Sequence, residues 1–295
     1  MSGIVGVIGL GIMGGAMARN LAAGGWRVIG YDLEPARRTE LAADGVEIAD
    51  NLAALARTAP VVITSLPSPA ALLATARDLA AAGVERRVVV ETSTLTLEDK
   101  IKAEAMFREA GHVCLDCPVS GTGAQAKNKD LVVYASGDSA SIADIKPLFA
   151  GFAKAAHDLG VYGNGSRMKY VANLLVAIHN VAAAEAMVLG MKAGLDPHQI
   201  IELVTPGAGN SRVFELRAPM MADNEYEPAS MKISIWQKDM AIIGRFATEL
   251  GCPTPLLSAT VPIYASAMAT GHAAHDTAAV CAVLEAMAGL DRNGG

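Results

Sequence analysis

The stretch that most narrows the folds open to this chain is Gly6-Val7-Ile8-Gly9-Leu10-Gly11-Ile12-Met13-Gly14, a glycine run between a short apolar segment and a helical pattern. Ile4 to Ile8 is continuously apolar, the mark of a strand buried on both faces, and Met13, Met17, Leu21 and Ala22 then recur at helical spacing. A helix therefore begins where a strand has just ended. At such a junction Gly9 permits a tight turn, Gly11 lets a pyrophosphate approach the backbone, and Gly14 lets helix and strand pack closely. The helix's free N–H groups then face the anion, and Leu10, Ile12 and Met13 complete the loop. Glycine spacing alone is weak evidence, because glycine-rich turns and close-packed strands produce it too. The context strengthens it. Gly24-Gly25 ends the helix, Arg27 to Tyr31 reads as a second strand, and Asp32 stands at its end, 18 residues beyond Gly14, where an acid reaches an adenosine ribose. The constellation predicts a bound dinucleotide. A carboxylate that accepts from the 2′-hydroxyl repels a 2′-phosphate, so NAD is favoured over NADP. Arg37 and Arg38 could reach a phosphate but are expected on the solvent face of the next helix.

At 295 residues the chain exceeds what one core usually serves, and two domains are expected. An apolar fraction of 52% with few aromatics suits a helix-rich enzyme, and a net charge of -6 argues against nucleic acid or an anionic membrane as partner. The apolar N-terminus lacks a basic leader and is interrupted by Arg19 and Asn20, so neither a signal peptide nor a membrane span is expected. Four scattered cysteines do not form a disulfide framework and point to reduced thiols in a cytoplasm. Cys114 and Cys117 make a C-x-x-C, yet no second pair stands at metal spacing, so packing is the better reading. His272, His275 and Asp276 read as a solvated helix end, and no metal is expected.

Up to about residue 160, strand-like runs alternate with helical patterns. Val61 to Thr64 precedes Ser65-Leu66-Pro67-Ser68, Arg87 to Val90 precedes Glu91-Thr92-Ser93-Thr94, and Val113 to Leu115 precedes Asp116-Cys117-Pro118-Val119-Ser120-Gly121. Leu131 to Ala135 follows, and Ala156 to Leu159 reads as one more short strand. Repeated strand, loop and helix units predict an α/β, Rossmann-type doubly wound parallel sheet over residues 1–163, with ligands beyond the carboxyl ends of the strands. After Gly163-Asn164-Gly165, a plausible N-cap at Ser166 opens a run without proline to Ala193, and Gly194 supplies the stop. That is a connecting helix over about 166–193, roughly 40 Å long and apolar nearly all round. Asp196-Pro197 caps another helix, and helical patterns fill most of 236–290, so residues 164–295 are expected to form an all-α domain.

On the connecting helix Lys169, Asn173 and Asn180 fall at about 0°, 40° and 20° around the axis, one polar stripe on an apolar surface. Buried polar groups are expensive unless paired. A polar substrate would pair them; so would bonds from the asparagines to neighbouring helices and a lysine that snorkels to solvent. Asn180 is the weakest member.

Gly9 to Leu21, the loop Asp116-Cys117-Pro118-Val119-Ser120-Gly121, Lys169 with Asn173 four residues on, and Lys238-Asp239 together resemble the β-hydroxyacid dehydrogenase family. That family includes 3-hydroxyisobutyrate and tartronate semialdehyde enzymes and is related to 6-phosphogluconate dehydrogenase. The resemblance covers nearly the whole chain, in the family's order. It implies that Lys169 is the catalytic lysine, taking the proton from the substrate hydroxyl as hydride passes to nicotinamide. A lysine near its ordinary pKa of about 10.4 is a poor base at neutral pH, so burial beside the nicotinamide cation would have to lower it. It further implies that Ser120 and Gly121 hold the substrate carboxylate, that Asn173 orients the substrate, and that Ser65, Leu66, Pro67, Ser93 and Thr94 line the cofactor. Lys238 falls beside the nicotinamide end, with Asp239 as its structural companion. The family generally associates through its helical domain, so a homodimer or homotetramer is expected.

This chain departs from the pattern in four places. Thr122 replaces a second glycine of the carboxylate loop, Lys129-Asp130 replaces Gly-Thr, Leu97 replaces a proline, and Met231 often has an aromatic counterpart. All but Leu97 could touch the substrate end, so they bear on which acid is bound rather than on the reaction. The alternatives are reduction of an imine or aldehyde on the same scaffold, against which Lys169 counts, and a non-catalytic nucleotide-sensing protein.

Overall fold

The computed structural model describes residues 3–292. In chain order it begins β1 (Ile4–Ile8), α1 (Ile12–Ala23), β2 (Arg27–Tyr31), α2 (Pro35–Ala43), the two-residue β3 (Glu47–Ile48) and α3 (Leu52–Thr58). Next come β4 (Val61–Thr64), α4 (Pro69–Ala80), β5 (Val88–Glu91), α5 (Leu97–Glu109) and β6 (Val113–Asp116). These six strands are all parallel and lie in the order β3-β2-β1-β4-β5-β6, successive strands being added to one side of β1 as far as β3 and to its other side from β4 on. The reason for the continuous apolar runs is visible in the packing. In β4, Val62 joins the core on one face of the sheet and Ile63 the core on the other; in β5, Val89 and Val90 divide the same way. Helices cover both faces, so β1, β4, β5 and β6 expose no residue, and only Arg27 of β2 and Glu47 of β3, toward the β3 edge, face water among the six strands.

The expected strands at Leu131 and Ala156 exist but do not extend this sheet. After β7 (Val119–Ser120), α6 (Gly123–Lys127), β8 (Val132–Ala135), α7 (Ser139–Asp144), α8 (Lys146–Phe152) and β9 (Ala155–Asp158), the strands form a second, three-stranded sheet in the order β7-β8-β9. There β7 runs antiparallel to β8 and β9 parallel to it. A single bridge between Asp116 and Ser136 ties this sheet to the end of β6.

The long helix α9 (Asn164–Lys192) starts two residues before Ser166, and Gly194 at φ 84° sits past its end. It is long and apolar enough to cross a bilayer by length and composition, although it carries four buried polar side chains, Ser166, Lys169, Asn173 and Asn180. The chain divides into two compact units between Lys169 and Tyr170. The second unit adds α10 (Pro197–Val204), α11 (Arg212–Asp223), α12 (Ile233–Glu249), α13 (Pro255–Ala269), a 3-10 turn at Thr277–Ala279 and α14 (Val280–Ala288). Its core gathers Tyr170, Met187, Phe214, Met221, Trp236, Tyr264 and Val280.

Candidate active site

The glycine loop is held by sterics. Gly9 has φ 87°, and a side-chain carbon there would fall 2.2 Å from the Ser65 carbonyl oxygen. At Gly14 it would fall 1.8 Å from the Gly9 carbonyl oxygen. Gly11 differs, because among the described residues the only group close to a side chain placed there is the Arg37 guanidinium, at 3.1 Å. Gly11 also stands at the N-cap of α1 and has no side chain with which to satisfy the first-turn N–H groups. An open glycine at an uncapped helix start fits a pyrophosphate. At the end of β2, Asp32 Oδ2 accepts from the Leu10 N–H at 2.7 Å and Oδ1 from the Glu34 N–H at 2.8 Å. Arg37 is exposed, as the sequence suggests, yet its Nη1 lies 3.5 Å from Asp32 Oδ2.

The loops after β4 and β5 are tied to one another. The Leu66 N–H donates to Ser93 Oγ at 2.8 Å, and the Ser93 N–H donates to Glu91 Oε1 at 2.9 Å. Ser65 and Leu66 lie within reach of the glycine loop, Thr94 follows half-buried, and Pro67 is exposed. Further along the chain, Ser120 ends β7 and Gly121 has φ 135°. Thr122 is engaged within its own turn. Its hydroxyl caps α6, and its N–H donates to Gln125 Oε1 at 3.0 Å. Gln125 Nε2 in turn donates to Asp130, which pairs with Lys154 at 2.6 Å, while Lys129 takes the left-handed φ of 56° where the family has glycine.

On α9, Lys169 is 8% exposed. Ser166 is no N-cap, since its N–H and its hydroxyl both donate to the Asp116 carboxylate, at 2.7 and 2.8 Å. The polar stripe divides into two roles. Asn173 Nδ2 donates to Asp239 Oδ2 at 3.0 Å, whereas Asn180 is wholly buried and donates to Tyr264 Oη and the Thr277 carbonyl. Asn180 is therefore a structural residue. Lys238 lies on α12 with its ammonium 3.4 Å from Asp239. Asp239 does more than accompany Lys238, because it also fixes the amide of Asn173.

Sequence reading missed the buried group behind these loops. Lys100 on α5 is fully buried, 2.7 Å from Glu91 Oε2 and 2.7 Å from Asp116 Oδ1. The available signal was its place at i, i+3, i+7 with Ala103 and Phe107, the buried face of α5. Cys114 and Cys117 are buried, and burial pushes both thiols above their ordinary pKa, in keeping with a packing role. Among the described residues no cluster of three or more His, Cys, Asp or Glu side chains is arranged to hold a metal ion. Asp276, expected in solvent, is wholly buried against Arg217 and Ser230.

Residues 4–163 match the model for the NAD binding domain of 6-phosphogluconate dehydrogenase, and residues 163–284 match that for the NAD-binding domain of NADP-dependent 3-hydroxyisobutyrate dehydrogenase. An L-threonate dehydrogenase of Cupriavidus necator is 33% identical over 95% of this chain and 95% of its own. The chain belongs to the β-hydroxyacid dehydrogenases. The crystal structure of a 3-hydroxyisobutyrate dehydrogenase from Salmonella typhimurium superposes with a TM-score of 0.86 at 30% identity, covering 95% of this chain and 99% of that one. An imine reductase from Pseudomonas sp. superposes with a TM-score of 0.65 at 19% identity, covering 96% of this chain and 100% of that one, and shares the fold alone. This dehydrogenase is thus an NAD(P)-dependent oxidoreductase rather than a nucleotide sensor. The glycine loop of its first unit could hold the dinucleotide, and Lys169, the buried amine of α9, could exchange a proton with a bound alcohol.

Proposed function

We propose that this dehydrogenase interconverts a small β-hydroxy acid, of the 3-hydroxyisobutyrate or sugar-acid type, and its carbonyl product, with Lys169 as general acid/base and NAD as the preferred cofactor. The observation that supports it most is the setting of Lys169, 8% exposed and three residues beyond the turn that Asp116 grips. The nicotinamide, when bound, takes or gives the hydride. Lys169 takes the hydroxyl proton as the alcohol is oxidised and returns it in the reverse direction, so full charge never builds on the oxygen. Ser120 and Gly121 offer a hydroxyl and N–H groups to the substrate carboxylate, with the Thr122 N–H already given to Gln125. Asn173, its amide fixed by Asp239, orients the substrate. Gly9 to Gly14, Asp32, Ser65, Leu66, Pro67, Ser93, Thr94 and Lys238 serve the cofactor.

Two features support the expected assembly and compartment. Val171, Leu175 and Leu189 of α9 are 52%, 47% and 73% exposed and lie within about 40° of one another around the helix axis, an apolar stripe suited to self-association as a homodimer or homotetramer. All four cysteines are free thiols, in keeping with a reducing cytoplasm.

The test is Lys169→Ala. With NAD and either L-threonate or 3-hydroxyisobutyrate, turnover is expected to fall about 10³-fold while NADH binding, read by fluorescence, stays within about twofold. Wild-type turnover in the variant would end the reading.

A further inference from the structure

Two loops and a helix start meet at one buried cation. Glu91, Lys100 and Asp116 are all wholly buried, and Lys100 Nζ lies 2.7 Å from a carboxylate oxygen of each. Each carboxylate also acts elsewhere. Glu91 Oε1 accepts the Ser93 N–H, and Ser93 Oγ accepts the Leu66 N–H, so Glu91 shapes both loops proposed for the cofactor. Asp116 accepts the N–H and hydroxyl of Ser166, the first turn of the helix that carries Lys169 three residues later. Ser136 Oγ reinforces that hold by accepting the Gly165 N–H at 2.9 Å. Gly165 itself is wedged in, since a side-chain carbon there would lie 2.2 Å from the Tyr134 carbonyl oxygen and 2.6 Å from that of Asp116.

We propose that Lys100 is a positioning residue: by pairing with Glu91 and Asp116 together it locks the loop after β5 and the first turn of α9 into one register, and so sets where Lys169 stands relative to the cofactor loops. Two carboxylates beside one another in a dry site cannot both stay ionised without a cation between them. Burial disfavours the ammonium, and the two carboxylates outweigh that, raising the Lys100 pKa above its ordinary value. Remove the cation and one carboxylate takes up a proton, so either Ser93 or Ser166 loses its charged acceptor. The proposal rests on the reading of Lys169 as acid/base, but its two arms make separate demands.

The experiment compares Glu91→Gln, Asp116→Asn, Ser166→Ala and Lys100→Met, with the exposed Lys102→Ala of the same helix as control. The readouts are the NADH Kd by fluorescence, kcat and KM for L-threonate and 3-hydroxyisobutyrate at saturating NAD, and the thermal midpoint. Glu91→Gln is expected to weaken NADH binding about fivefold or more with kcat little changed. Asp116→Asn and Ser166→Ala are expected to lower kcat about 10- to 100-fold, a typical consequence of misplacing a reacting group, with NADH Kd within about twofold. Ser166→Thr, which restores the hydroxyl, should recover most of that loss, and Lys100→Met should show both defects. If Lys100→Met does not fold, Ser166→Ala decides, since it removes a single oxygen. The proposal is overturned if kcat and NADH affinity fall together in step with the thermal midpoint in every variant, or if Ser166→Ala and Asp116→Asn keep wild-type kcat while Lys169→Ala is dead. Normal turnover in Lys169→Ala would instead remove the reading beneath it.

Discussion

At Asp32 the carboxylate already accepts two backbone N–H groups, and the Arg37 guanidinium stands 3.5 Å away with half its side chain in water. The end of β2, proposed to meet the cofactor ribose, thus holds both signs of charge. Asp32→Asn keeps an acceptor but drops the repulsion, so the NAD to NADP ratio of kcat/KM should fall at least tenfold, the scale of one charge-assisted hydrogen bond of about 1.5–3 kcal/mol. Arg37→Ala should move the ratio the other way by depressing NADP use while leaving NAD use near wild type; parallel kinetics with the two cofactors read both. A result in which neither variant moves the ratio would remove Asp32 and Arg37 from cofactor choice. Residues whose role is set by local chain geometry were legible in the sequence: Gly9 and Gly14 are glycine because backbone oxygens stand where a side chain would go. Lys100, Glu91 and Asp116 were not, because their pairing closes over 16 and 9 residues across separate elements and leaves no spacing rule behind. Asn180 and Lys169 looked alike on a helical projection and differ only in what packs opposite.

Strands and helices were read from burial, and that worked where burial is two-sided. β1, β4, β5 and β6 announce themselves as continuous apolar runs, whereas the partners of β7, β8 and β9 depend on a turn through Gly121 and α6 that apolar pattern does not encode. The start of α9 was placed late because Ser166, a good N-cap by type, gives its donors to Asp116 instead. In the second unit the segment before α14 shows a similar substitution of tertiary for local logic. The His275 and Ala273 carbonyls accept the N–H groups of Ile233 and Ser234 at the start of α12, and Asp276 accepts from Ser230, Met231 and Ala278. Burial works to raise the Asp276 pKa, but the Arg217 guanidinium, the Ser230 hydroxyl and the backbone N–H groups together hold it below the ordinary carboxylate value. A depressed folded pKa stabilises above the unfolded value and is lost as pH falls through the folded one. Asp276→Asn is therefore expected to destabilise the helical unit by about 3 kcal/mol or more at pH 7, as breaking a buried pair does. In urea titrations the gap from wild type should persist down to about pH 4 and close below it. A gap that widened on acidification would contradict this account.

For the molecule as a whole, the sequence changes pattern near Gly163, because a parallel sheet and a helical core demand different periodicities, while the two compact units divide between Lys169 and Tyr170, inside α9. The state of assembly was not legible, since apolar residues along α9 read the same whether they face a core or another chain. Light scattering over a concentration series should give a dimer or tetramer, and Leu175→Glu with Val171→Glu should shift it toward monomer; a wild-type monomer at every concentration would remove that expectation. Gly165 shows where sensitivity to change will concentrate. It has no functional group, yet any side chain there meets two backbone oxygens, and the only relief is to push the first turn of α9 off the sheet edge. In a saturation screen for growth on the substrate, this silent position should therefore score as badly as the amine four residues along, and alleles at Gly165 would pass for catalytic lesions until their kinetics were taken.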